Sequence, residues 1–88
     1  MRARSTYTLD FATAPSGQKF ALVRDLDQGA SVTNDAENVV PAVLARQPVD
    51  RIIYRDTDQR WDELLHDGRQ FLGFAPIRDA EALTLAVS

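Results

Sequence analysis

Tyr7, Leu9 and Phe11 alternate with Thr8 and Asp10, and this period of two predicts a half-buried strand. Ala14-Pro15-Ser16-Gly17 supplies turn chemistry, because proline fixes φ and glycine accepts positive φ. Alternation resumes from Lys19 to Leu26. Phe20, Leu22, Arg24 and Leu26 share one face, and Ala21, Val23 and Asp25 take the other. Two strands joined by a short turn make an antiparallel hairpin. Residues 27–31 read as a loop. Thr33 or Asn34 then offers a side-chain oxygen to cap a helix, and Glu37 stands three residues after Asn34 as in a capping box. Ala36, Val40, Val43 and Leu44 form one helical face, widened by Val39. Pro41 predicts a helix bent or split near that residue, and Pro48 stops further travel.

Arg51–Arg55 is rich in β-branched and aromatic residues and reads as a third strand, followed by a turn at residues 56–59. Arg60–His66 reads two ways. As a helix it is capped by Asp58 and ended by Gly68. As a strand it pairs through Asp67-Gly68, a strong hairpin signal, with residues 70–74. The strand reading is preferred, because two successive hairpins complete a meander without long loops. Pro76 ends the last strand. Residues 79–83 suit a helical turn, or residues 83–87 a short edge strand.

The order is ββαβββ: an α+β, two-layer fold, with an antiparallel sheet of about five strands and one main helix on one face. The expected core is Leu9, Phe11, Leu22, Val40, Val43, Leu44, Ile53, Leu64 and Phe71 or Leu72. The sheet's other face is expected to be partly open to water. Length limits the chain to a single domain over 1–88, with residues 1–5 and 85–88 expected to fray. A hydrophobic content of 44% places it among globular chains rather than disordered ones.

Composition mainly excludes. Without cysteine there are no disulfides, thiolate metal sites or cysteine nucleophiles, and His66 is the sole histidine. Neither a metal nor any other cofactor is expected. A net charge of −3 argues against non-specific nucleic-acid binding, since acids flank nearly every arginine; only Arg2 and Arg4 stand unopposed. No apolar run is long enough to span a membrane or to serve as a secretory leader, so a cytoplasmic location is expected. His66-Asp67 lacks a nucleophile elbow, and Ser16-Gly17-Gln18-Lys19 lacks the glycines of a phosphate loop.

The densest polar cluster runs from Arg55 to Glu63. As a calcium loop beginning at Asp56 it fails, because Arg60 falls where an oxygen ligand belongs and Trp61 where glycine is required. The cluster is either a solvated turn with Arg–Asp pairs or a recognition loop. Trp61 fits both, as a cap on the core or as an interface anchor, since tryptophan and arginine dominate binding hot spots. Tyr54, Arg55, Asp56, Asp58, Arg60, Trp61 and Asp62 are therefore the candidate interaction residues.

Two stretches resemble known sequences: Ser31–Glu37, and Ile53–Leu64 continuing through His66-Asp67-Gly68 and Phe71–Pro76. They are similar to small uncharacterised proteins encoded on bacterial plasmids, integrative elements and gene cassettes. The resemblance implies a protein that binds a host or element protein, including as an inhibitor of a nuclease or defence complex. It carries no active-site residues. The expected function is a non-enzymatic protein-interaction or regulatory module, with a protein partner or a second copy of the chain. The alternative is a small ligand-binding protein or enzyme with a site at a dimer interface, built from Asp56, Asp62, Glu63 and His66.

Overall fold

A computed structural model describes residues 7–26, 31–58 and 60–78. The fraying expected at both ends, and the helical turn or edge strand expected after residue 78, lie outside the described residues. The elements are β1 (Tyr7–Thr13), β2 (Lys19–Asp25), α1 (Ala36–Arg46), β3 (Arg51–Arg55), β4 (Trp61–His66) and β5 (Phe71–Pro76). The ββαβββ order and the α+β class are as the patterning implies, and the Arg60–His66 segment forms a strand over Trp61–His66. The five strands follow chain order across the sheet, β1-β2-β3-β4-β5. Three pairings are antiparallel and β2–β3 is parallel. The helix explains the exception, because an intervening α1 returns the chain to the end of the sheet from which β2 began. Asp50 pins this return. Its N–H donates to the Lys19 carbonyl (2.8 Å), and its Oδ2 accepts from the Lys19 N–H (2.9 Å).

The entry to the helix departs from the expected capping box. Val32–Asn34 forms a 3-10 turn capped by Ser31, whose Oγ accepts from the Thr33 N–H at 3.1 Å. Asn34 is thus inside a preceding turn, and Asp35 occupies the cap position of α1 without a side-chain cap bond. Its carboxyl accepts instead from Asn38 Nδ2 at 2.6 Å. α1 runs unbroken through Pro41 rather than splitting there. Pro41 and Glu37 are both exposed, so the carbonyl that loses its proline partner faces water.

The patterning leaves open which strand parity meets the helix, and the packing decides it. The helix-side face carries Ala21 and Val23 from β2, Ile52 and Tyr54 from β3, and Leu64 from β4, packed on Val39, Val40 and Val43. Leu22 and Ile53 are buried as expected, and they are register partners on the far face with Phe20 and Trp61. The reason is that β2 and β3 are apolar at both parities, as central strands buried on two sides are. Periodicity then selects no face. The far face is accordingly not open at its centre: Ile53 is 1% exposed and Phe20 2%. In β5, Phe71 faces the helix-side cluster, whereas Leu72 is skipped by the register as a bulge residue. Gly73 follows with φ +152°, a backbone that residues with a Cβ rarely adopt.

Candidate functional site

The seven candidate residues span the end of β3, its turn and the start of β4. The strand period separates them. Arg55 and Trp61 are register partners on the far face, and Tyr54 and Asp62 are partners on the helix side. Tyr54 and Trp61 therefore lie on opposite faces of the sheet.

Trp61 is 6% exposed and belongs to the far-face cluster. The Arg55 guanidinium lies over its ring, with Cζ 4.8 Å from the centroid, in a cation–π arrangement. Arg55 Nε is shielded from solvent and has no hydrogen-bond partner among the described residues. Beside this pair, Arg51 clasps Glu63 with two bonds, Nε to Oε2 at 3.2 Å and a second nitrogen to Oε1 at 2.7 Å. In the turn, the Asp56 carboxyl accepts from the Arg60 N–H at 2.9 Å, and the Asp56 N–H donates to the Arg60 carbonyl at 3.1 Å. Asp56 therefore shapes the turn, and Thr57, Asp58 and Arg60 are exposed around its tip. Asp62 is partly buried. Desolvation raises its pKa, the charge of Asp56 adds to the rise, and Arg60 opposes it.

Tyr54 is wholly buried and anchors a polar network the sequence reading missed. Its hydroxyl donates a hydrogen bond to Asp25 and lies 3.2 Å from each of the Ser31 and Thr33 hydroxyls. The Asp25 carboxyl also accepts from the Val32 N–H (2.9 Å) and the Ser31 hydroxyl (3.1 Å). Burial, reinforced by the bond to Asp25, pushes the Tyr54 pKa upward. The network ties the 3-10 turn at the head of α1 to the ends of β2 and β3. The one signal in the sequence is that Asp25 continues the apolar row of Ala21 and Val23, where an unpartnered carboxyl is costly once that row is the buried one.

The polar residues of the alternative enzyme reading do not converge. Glu63 is engaged by Arg51 on the far face, Asp56 holds the turn, and Asp62 and His66 are separated along the helix-side face of β4. His66 Nδ1 accepts from the Gly68 N–H at 2.9 Å, inside the β4–β5 connection. Among the described residues, no three of His, Asp and Glu gather as a metal site. No helix there is long and apolar enough to cross a membrane.

What the surface does present is apolar. Leu65, Leu72 and Phe74 are 38%, 58% and 41% exposed, and all three lie on the β4–β5 hairpin. The Phe74 ring stands edge-on to Phe71, with centroids 4.9 Å apart. Comparison of the chain with protein-family models, curated proteins and solved structures returned no match.

Proposed function

We propose that this chain is a non-enzymatic protein-interaction module whose contact surface centres on the β4–β5 hairpin. The observation that carries the reading is the exposure of Leu65, Leu72 and Phe74 on that one hairpin. Phe74 pairs with Leu64 on the helix-side face and Leu65 lies on the far face, so the hairpin offers exposed apolar side chains on both faces, which favours a protein partner that clasps it. The bulge supports the same reading. It pushes Leu72 out of the ladder alternation and holds it outward, at the cost of one unpaired position. The centre of the surface thus moves from the residue 55–62 turn to the next hairpin, because Tyr54 and Trp61 are consumed by internal packing. Asp58 and Arg60 remain available as polar contacts at the turn tip.

The test is affinity capture from a lysate of the encoding cells, with native chain and Leu72→Asp side by side. Leu72 is exposed, so the change leaves the fold intact, as circular dichroism will verify. One stoichiometric protein retained by the native chain and lost by the variant is expected. Equal retention by both removes the hairpin as the site, and no stoichiometric protein with the native chain removes the reading.

A further inference from the structure

The two outer strands of the sheet differ in how well they are guarded. In β5 the bulge at Leu72 interrupts the ladder and Pro76 has no N–H, devices that discourage edge pairing. β1 has neither. It is seven residues long, contains no proline, and pairs with β2 without a register shift. The bond from the Ala14 N–H to the Gln18 carbonyl fixes which groups point outward. By the antiparallel alternation, Ala12 and Asp10 bond inward to β2, whereas Tyr7, Leu9, Phe11 and Thr13 turn their N–H and C=O groups away from it. Among the described residues no strand pairs with that side. The side chains of Tyr7, Leu9 and Phe11 all face the helix side but are only partly buried, because α1 lies closest to β4 and β5.

We propose that β1 pairs antiparallel with β1 of a second copy, with the two-fold axis at Leu9. Charge selects this register. An axis at Asp10 sets Asp10 against its own copy, a like-charge pair. An axis at Phe11 sets Asp10 opposite Ala12, beside the buried Phe20. With the axis at Leu9, Asp10 stands opposite Thr8 of the second copy. Thr8 is in turn the register partner of Arg24 on β2. Arg24 then reaches across the short Thr8 to Asp10 of the second copy, about 10 Å away between Cα atoms at two strand spacings, and the symmetry repeats the pair. Asp10 and Arg24 are both exposed, and neither side chain has an ion pair or hydrogen bond among the described residues. On the helix side the same register places Leu9 on Leu9 and Tyr7 on Phe11. The unpartnered charges and the half-covered apolar row are thus satisfied by one operation. The product is a continuous ten-stranded sheet, with the β4–β5 hairpins at its two ends. The pairing is independent of the hairpin proposal above.

Sedimentation equilibrium of the purified full-length chain is expected to give twice the chain mass. Asp10→Arg or Arg24→Asp alone should weaken the dimer about tenfold or more, and the two together should restore it, because the charges exchange places. Amide exchange is the second readout. Leu9 and Phe11 amides should slow as protein concentration rises. A monomeric native chain overturns the proposal. So do amides protected equally at all concentrations, which means that the edge is covered by the chain's own remaining residues. A dimer indifferent to both charge reversals overturns the register.

Discussion

Replacing Tyr54 with phenylalanine removes one oxygen and leaves the ring that fills the helix-side core. The hydroxyl serves Asp25, Ser31 and Thr33 together. Ser31 and Thr33 are not stranded by the loss, because Ser31 keeps Asp25 and Thr33 stands at the exposed margin. Asp25 keeps Val32 and Ser31 as donors but loses the tyrosine hydroxyl. A hydrogen bond to a charged group contributes about 1.5–3 kcal/mol, so a loss of about 2 kcal/mol is expected. For a domain of this length that lowers the melting midpoint by about 8–16 °C. Urea unfolding followed by fluorescence of Trp61, the sole tryptophan, measures it directly. The pH dependence supplies the sign. The native pKa of Tyr54 is raised above its ordinary value of 10.0, so the folded state holds the phenolic proton more tightly than the unfolded state. The stability this contributes is fully present below pH 10 and is lost as pH rises through the raised value. Tyr54→Phe should therefore lack the alkaline decline shown by the native chain. A double-mutant cycle with Asp25→Asn should return a coupling of about 1 kcal/mol or more. A Tyr54→Phe variant as stable as the native chain, with the same alkaline limb, refutes the network as the anchor of the crossover.

Asp62→Asn should raise the urea midpoint at neutral pH. Burial has pushed the Asp62 pKa above 3.8, so its ionised form opposes folding; the gain should vanish in acid, where the native carboxyl is already protonated, and a pH-independent gain contradicts the assignment. Arg55→Ala should uncover the Trp61 ring, shift its emission to the red and cost about 1 kcal/mol; unchanged emission means that Arg55 does not cover the ring. Leu72→Asp is expected to abolish partner capture while leaving the fold intact, and the paired reversals at Asp10 and Arg24 to break and then restore self-association.

Patterning made the element order legible because β1 and the helix each bury one side. Tyr7, Leu9 and Phe11 could take only one parity, and Val40 and Val43 only one helical face. It was silent for β2 and β3, where both parities are apolar. Leu22 and Ile53 are buried as expected, but which parity of their strands meets the helix was not legible. The candidate site divided for a related reason. Residues Arg55 to Asp62 look like one cluster in the chain, yet a strand sends neighbours to opposite sides. Arg55 and Trp61 meet across the turn because an even number of steps around the hairpin separates them. Tyr54 and Trp61 are an odd number apart and do not.

The sequence by itself determined the α+β class, the hairpins, the main helix and the absence of cysteine chemistry. These rest on local periodicity, turn residues and composition, which need no knowledge of distant contacts. Only the tertiary structure decided the parallel join of β2 to β3, the burial of Trp61 beneath Arg55, and the meeting of Asp25 with Tyr54. It also decided which edge of the sheet is guarded. Each depends on register between segments far apart in the chain. A one-residue change in such pairing reverses every face, so local pattern cannot supply it.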